Sequence, residues 1–285
     1  MKLSKYFAII VALTSCVSNQ ASLYKQKPAM YAYIFGSVHD NQIYNQHAAD
    51  AYITPASCQK IVTAMVALKT LGEDYRYTTK LFVNKHGKVI KDVLIEFSGD
   101  PTFTSEQLES LLKPLHSTKI TGYIILDASK FKTPIYSPDW MIGDIGTGYT
   151  TPVSAINIDH NLVTLSVTPT TLGLPAIITN KTIYKLKSDV ITNKAKTRID
   201  TSWRDNTINI RGTINHLEQP KDVKVSPEDI EPYAVNKIRT VMNALNIRGK
   251  IKVIYKQVDK NGFKLASKVE SKPLKDFIVP ALKIS

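Results

Sequence analysis

Thr54-Pro55-Ala56-Ser57-Cys58-Gln59-Lys60, running on through Ile61-Val62-Thr63-Ala64-Met65-Val66-Ala67-Leu68-Lys69-Thr70-Leu71 to Gly72, decides how the rest of this chain is read. Pro55 drives Thr54 out of the helical region and Ser57 is suited to cap the turn that follows, so a helix is predicted from at or just after Ser57. Gly72 supplies its stop. Apolar residues at Ile61, Val62, Ala64, Met65, Val66, Leu68 and Leu71 cover more than one face, which predicts a helix buried inside a domain. Ser57 and Lys60 are three residues apart and share a face, within reach of each other. A serine hydroxyl needs a neighbour to take its proton, and a lysine in a dry cleft loses enough basicity to do so. The positive end of the helix favours the alkoxide that results. Ser-x-x-Lys also begins at Ser22, Ser110 and Ser129, but only Ser57 combines a Pro-Ala entry, a helix start and a long apolar continuation. The competing reading of Ser57 is a plain helix cap.

The 285 residues suffice for one large domain or two smaller ones, and 43% hydrophobic content indicates a globular protein. A net charge of +13 favours anionic surroundings such as nucleic acid, phospholipid or wall polymer. The charges are scattered through strand-like segments, without a basic helix or arginine run, which argues against sequence-specific nucleic-acid reading. Lys2 and Lys5 precede the apolar run Tyr6 to Leu13, a secretory signal too short to span a bilayer. It ends in Leu13-Thr14-Ser15-Cys16, a pattern like the lipobox of bacterial lipoproteins, with Cys16 the lipidated residue of a signal covering 1–16. Ordinary secretion with cleavage after Ala21 is the poorer alternative, because Asn19 stands where a small residue is preferred. These segments place the protein across the cytoplasmic membrane, in the periplasm or envelope, and away from nucleic acid. The only other cysteine is Cys58, so lipidation of Cys16 leaves no internal disulfide. His39, His47, His86, His116, His160 and His216 show no metal-ligand spacing, and neither metal nor cofactor is expected.

Strands are predicted at Met30 to Val38 and Gln42 to Asn45, forming a hairpin before the helix, then at Tyr75 to Val83, Lys88 to Phe97 and Lys119 to Leu126. Thr104 to Leu112 reads as a helix capped by Thr104. Asp127 to Thr151 is an irregular loop of the length that usually carries function, the equal alternative being a packed surface loop anchored by Trp140. Val153 to Asn215 is β-rich. Ser226-Pro227-Glu228-Asp229 predicts a helix capped by Ser226 and running to about Asn246, followed by a strand from Ile251 to Tyr255 and a last helix from Lys272-Pro273-Leu274 to Leu282. Helical character stops near Arg76 and returns near Ser226. The expected arrangement is one layered domain, 22–76 with 225–285, interrupted by a β-rich insertion at 77–224.

Pro55 to Lys60, Leu71-Gly72-Glu73-Asp74-Tyr75-Arg76-Tyr77-Thr78-Thr79, Phe97-Ser98-Gly99-Asp100-Pro101-Thr102, Asp139-Trp140 to Asp144, Tyr149 to Ile156 and Leu265-Ala266-Ser267 to Leu274 resemble, in order, the class C low-molecular-mass penicillin-binding proteins. These are serine D-alanyl-D-alanine carboxypeptidases and endopeptidases. The resemblance implies an α+β fold, a β-lactamase/transpeptidase-like domain, here incomplete, interrupted after the active-site helix by a long, mainly β insertion. It implies that Ser57 is the nucleophile and Lys60 its base, that the substrates are peptidoglycan stem peptides, and that β-lactams acylate the same serine. Trp140 and Asp144 fall in the loop that approaches the site in relatives, where Asp144 either binds the amine of a diaminopimelate side chain or is an exposed loop carboxylate.

The family also uses a Ser-x-Asn and a Lys-Thr-Gly, and these 285 residues contain neither. Lys283-Ile284-Ser285 stands where relatives typically read Lys-x-Ser-Asp-Asn, making Ser285 the first residue of the second motif. Without the strand that carries Lys-Thr-Gly, half the oxyanion hole is missing and the sheet keeps an open edge, so the chain alone is expected to be truncated, inactive and poorly stable. A non-catalytic peptidoglycan-binding relic is the alternative of a different class. A serine β-lactamase fits less well, because of the insertion and the Trp140 loop.

Overall fold

The computed structural model describes residues 31–131, 136–138, 140–179, 183–204 and 206–283. The signal segment with Cys16, and Ser285, lie outside the described residues. The chain divides into two compact units, with the boundary between Met65 and Val66.

In the first unit, β1 (Tyr33–Gly36) and β2 (Ile43–His47) form the expected antiparallel hairpin. A single 3-10 turn, Ala56–Cys58, then leads into α1 (Gln59–Leu71), whose second half crosses into the next unit. The location of this helix follows the sequence, but its burial does not. Ile61, Val62, Met65 and Val66 are exposed, Met65 by 65%, and no residue of α1 is buried. An all-round apolar helix needs a layer on each side, and the sheet described in this unit has only two strands.

The second unit holds two hydrophobic cores. The first is built on a five-stranded sheet in the order β12-β5-β4-β3-β13, made by β3 (Thr78–His86), β4 (Val89–Glu96), β5 (Lys119–Asp127), β12 (Arg248–Ile254) and β13 (Phe263–Glu270). β3 and β4 are an antiparallel hairpin turned at Gly87, whereas β4 and β5 are parallel and need a crossover, which α2 (Ser105–Leu112) provides. Thr104 caps α2 as predicted. Its hydroxyl accepts the Gln107 N–H at 3.3 Å while the Gln107 side chain accepts the Thr104 N–H at 2.9 Å. Leu108, Leu111 and Leu112 of α2 meet Leu81, Val83, Val93 and Ile95 of the sheet and Ile238, Val241 and Met242 of α3 (Ile230–Ala244).

The second core lies between two three-stranded sheets. One is β11-β6-β7, made of β6 (Val163–Thr168), β7 (Ile177–Thr179) and β11 (Lys221–Val225). The other is β8-β10-β9, made of β8 (Lys185–Asn193), β9 (Arg198–Arg204) and β10 (Thr207–Asn215). Val163, Leu165 and Val167 alternate inward to meet Val190, Ile208, Ile210 and Ile214. α3 joins the cores, since Tyr233 belongs to the second and donates its hydroxyl to the carbonyls of Ile158 and Leu162, both at 3.1 Å.

Two local features depart from the sequence reading. Ser226 does not cap α3: it is buried, and Asp229 caps instead, accepting the Glu231 N–H at 2.9 Å. β13 was not expected, and it closes the sheet beside β3. β12 pairs with β5, β13 with β3, and α3 packs on the same sheet, so the segment up to Glu270 belongs with the 78–127 strands. The chain comes back beside Glu73 to Tyr77 only at Ser271. There Ser271 N–H donates to the Tyr77 carbonyl at 2.9 Å, Tyr77 N–H to the Ser271 hydroxyl at 3.0 Å, and Arg76 to the Ser271 carbonyl at 2.7 Å. α4 (Leu274–Lys283) follows, held by the Lys275 amine on Asp74 at 2.8 Å and by the Phe277 ring beside Tyr77.

Candidate active site

Ser57 occupies the middle of the 3-10 turn that starts α1. Pro55 enters it with φ −73°, Ala56 takes a left-handed φ of 44°, and the Cys58 N–H donates to the Pro55 carbonyl at 2.9 Å. A non-glycine residue at positive φ is a strained conformation, and here it stands directly before the candidate nucleophile. No side chain caps this turn. The Ser57 hydroxyl instead accepts from the Lys60 amine at 3.5 Å, the long end of hydrogen-bond range. Contacts of this kind in an unliganded site often tighten only around substrate. Both side chains are exposed, so the dry cleft expected around the amine is not built by the described residues.

Trp140 and Asp144 belong to the second unit. Trp140 N–H donates to the Ser137 carbonyl at 3.1 Å, and its ring meets Tyr136 edge-on at 6.1 Å between centroids. The Tyr136 hydroxyl reaches the Glu228 carbonyl at 3.3 Å, which ties this end of the loop to the approach of α3. Asp144 ends a 3-10 turn, Ile142–Asp144, and its carboxylate accepts the Tyr149 hydroxyl at 2.7 Å. That hydrogen bond is the first cause of a raised Tyr149 pKa, since losing the proton would set two anions side by side. The backbone carbonyl of Asp144 accepts from Thr147 at 2.7 Å and from Thr150. Beyond it the Ser226 N–H donates to the Gly146 carbonyl at 3.1 Å, and Gly146, at φ +92°, lies against the Trp203 ring. A β-carbon there would fall 2.7 Å from Trp203 Cδ1.

The structure thus pairs Ser57 with Lys60 in one unit and organises the Asp144 loop in the other. The Asp144–Tyr149 pair was missed from sequence, although both residues lie in stretches that carried the resemblance. Among the described residues no group of His, Cys, Asp and Glu is arranged to hold a metal ion.

Residues 17–285 match the D-Ala-D-Ala carboxypeptidase 3 (S13) family. This chain belongs to the S13 family. The S13 chain is 25% identical over 267 residues to the D-alanyl-D-alanine carboxypeptidase DacB of Haemophilus influenzae, covering 89% of itself and 56% of that protein. It is 22% identical over 266 residues to the D-alanyl-D-alanine carboxypeptidase of Actinomadura sp., covering 86% of itself and 49% of the relative. The S13 chain therefore spans about half the length of the curated relatives it matches. Its fold matches the crystal structure of penicillin-binding protein 4 (dacB) from Haemophilus influenzae with a TM-score of 0.73 at 24% identity, over 92% of this chain and 64% of that one. The α+β, transpeptidase-like expectation agrees with that match. Within 77–224, read as mainly β, α2 is the longest helix, and the strands β3, β4 and β5 belong to a mixed sheet completed by β12 and β13 from beyond that range.

Proposed function

We propose that this chain carries the acylating serine of a D-Ala-D-Ala carboxypeptidase or endopeptidase that acts on peptidoglycan stem peptides. The observation that carries the reading is the Ser57 hydroxyl with the Lys60 amine 3.5 Å away, at the start of a helix in an S13 chain. Lys60 in its neutral form takes the Ser57 proton as Oγ attacks the carbonyl carbon of the penultimate D-alanine. The tetrahedral oxyanion collapses, the C–N bond breaks, and the leaving amine takes the proton from Lys60. Water then cleaves the ester by the same route in reverse. The penicillin-binding protein 4 structure complexed with a β-lactam, matched at a TM-score of 0.70, supports extending β-lactam binding to this site.

Ser285 is assigned to the second catalytic motif and Trp140 and Asp144 to substrate positioning, with Asp144 facing a cationic stem-peptide side chain. The 285 residues contain neither Ser-x-Asn nor Lys-Thr-Gly, so on their own they are expected to turn over little or no substrate. Residues 1–16 direct export and Cys16 carries a lipid anchor in the envelope. Incorporation of labelled palmitate that is lost in Cys16→Ser supports that anchor, and unchanged incorporation contradicts it. The enzymatic reading is tested by release of D-alanine from a synthetic stem pentapeptide. The chain is fused to the portion of the Haemophilus DacB sequence beyond the matched region. Release that is abolished by Ser57→Ala and by Lys60→Ala is expected, and release that survives either substitution contradicts the assignment.

A further inference from the structure

β4, β5 and β12 run parallel and end together, at Glu96, Asp127 and Ile254. Beyond those carboxyl ends, where the following loops diverge, opens a cavity of about 880 Å3 that is lined by neither Ser57 nor Lys60. Crevices at this end of parallel strands are a habitual place for ligands, and the volume lies in the range of small-molecule sites.

Its charge is one-sided. Among the described residues that line it, Arg76, Lys80, Lys130 and Lys260 stand against two carboxylates, Glu96 and Asp127. Glu96 is shared between two ammonium groups, with Lys80 at 3.6 Å and Lys260 in direct contact. Asp127 is 4% exposed and spends Oδ1 on the Ser129 N–H at 2.9 Å. The field offered to solvent is therefore positive, and low-dielectric walls concentrate it.

Those walls are aromatic. Phe131 and Tyr255 are 42% and 62% exposed, each offering a ring to the cavity. The Phe131 ring lies over Gly99, where the missing side chain makes room for it. Gly99, at φ +76°, would put a β-carbon 2.1 Å from the Phe131 ring. Tyr255 is tethered at its hydroxyl, which donates to Glu231 at 2.9 Å and leaves the ring face available. An exposed aromatic fixed by its neighbours costs little to order on binding.

We propose that this cavity is a second binding site that takes a short peptide bearing free carboxylates, of the stem-peptide class. The anion preference stands on the cavity alone, whereas the stem-peptide assignment rests on the peptidase reading. The Ser57→Ala chain, which leaves substrate intact, is titrated calorimetrically with L-Ala-γ-D-Glu-L-Lys-D-Ala-D-Ala and with the same peptide fully amidated at its carboxyls. Submillimolar binding is expected for the free peptide, weakened about tenfold by amidation and about tenfold by Lys130→Glu, with a smaller loss for Phe131→Ala. Lys130 and Phe131 are exposed, and circular dichroism checks that both variants fold. Equal affinity for the free and amidated peptides, no loss with Lys130→Glu, or no binding at all overturns the proposal. A failed D-alanine release assay with this carboxylate-dependent binding intact sinks the peptidase reading alone. Release without such binding sinks the second site alone.

Discussion

Replacing Asp159 by asparagine is expected to unfold the second unit at about 1 M lower urea. Asp159, His160 and Asn161 take consecutive left-handed conformations, with φ of 51°, 58° and 51°. The Asp159 carboxylate accepts the Ser105 N–H at 2.9 Å, the Ser105 hydroxyl at 2.5 Å and the Lys237 amine at 2.6 Å. One carboxylate thus ties the start of α2, the turn and α3 together. Asparagine tolerates the left-handed region, so the substitution removes the charge and spares the backbone. The two ion-pair side chains are 31% and 30% exposed, and screening holds that pair to about 1 kcal/mol. Asparagine keeps a single acceptor oxygen, so the Ser105 N–H bond weakens from a charged to a neutral acceptor, by about 0.5–1 kcal/mol, while the Ser105 hydroxyl, which donates to the other oxygen, loses its acceptor to an NH2 at about 1 kcal/mol, for a total near 2–3 kcal/mol. With a urea slope of about 2–3 kcal/mol per molar, the midpoint moves by about 1 M.

The same carboxylate makes a pH prediction. Burial opposes its ionisation, but the hydrogen bonds from Lys237 and Ser105 outweigh that effect and hold its pKa below 3.8. A depressed folded-state pKa means that the stabilisation is complete above the unfolded value and is lost as pH falls through the folded one. The difference between the native chain and Asp159→Asn should therefore be constant from about pH 5 to 8 and narrow below 3.8. A midpoint shift under about 0.2 M, or a gap that persists undiminished in acid, refutes the reasoning.

Three further substitutions read other parts of the fold. Phe103→Ala, at a ring 1% exposed and edge-on to Phe97 at 6.1 Å, should cost about 3–5 kcal/mol in chemical denaturation. Ser271→Ala removes the hydroxyl that accepts the Tyr77 N–H. It should destabilise by about 1–3 kcal/mol and speed amide exchange at Tyr77, while unchanged exchange would show that the clasp is not held there. Asp144→Asn should bring the raised Tyr149 pKa back down toward 10.0, followed by tyrosinate absorbance, and an unmoved titration would contradict the hydrogen-bond account.

What could be read in the chain was local. The Thr104 cap, the β3–β4 hairpin and the approach of Lys60 to Ser57 depend on residues a few positions apart, and each appears in the structure as expected. The pairing of β12 with β5 and of β13 with β3 joins segments more than a hundred residues apart. Composition has no way to show that 248–270 completes the sheet begun at Thr78. β13 was missed because Phe263-Lys-Leu-Ala-Ser-Lys-Val-Glu is an edge strand rich in lysine, with an irregularity between Leu265 and Ser267 that breaks its alternation. The Ser105–Asp159–Lys237 tie was invisible for the same reason, since its members come from three segments. The apolar surface of α1 misled because a helix pattern reports what a face is suited to bury, not what covers it among the described residues.

The central claim is that Ser57 is the acylated residue, and mapping the adduct formed with a fluorescent penicillin by mass spectrometry tests it most directly. The label should fall on the peptide containing Ser57 and vanish in Ser57→Ala. It should form about a hundredfold or more slowly in the 285-residue chain than in a fusion that supplies Ser-x-Asn and Lys-Thr-Gly. An adduct that persists in Ser57→Ala, or a fusion that never labels, would contradict the account.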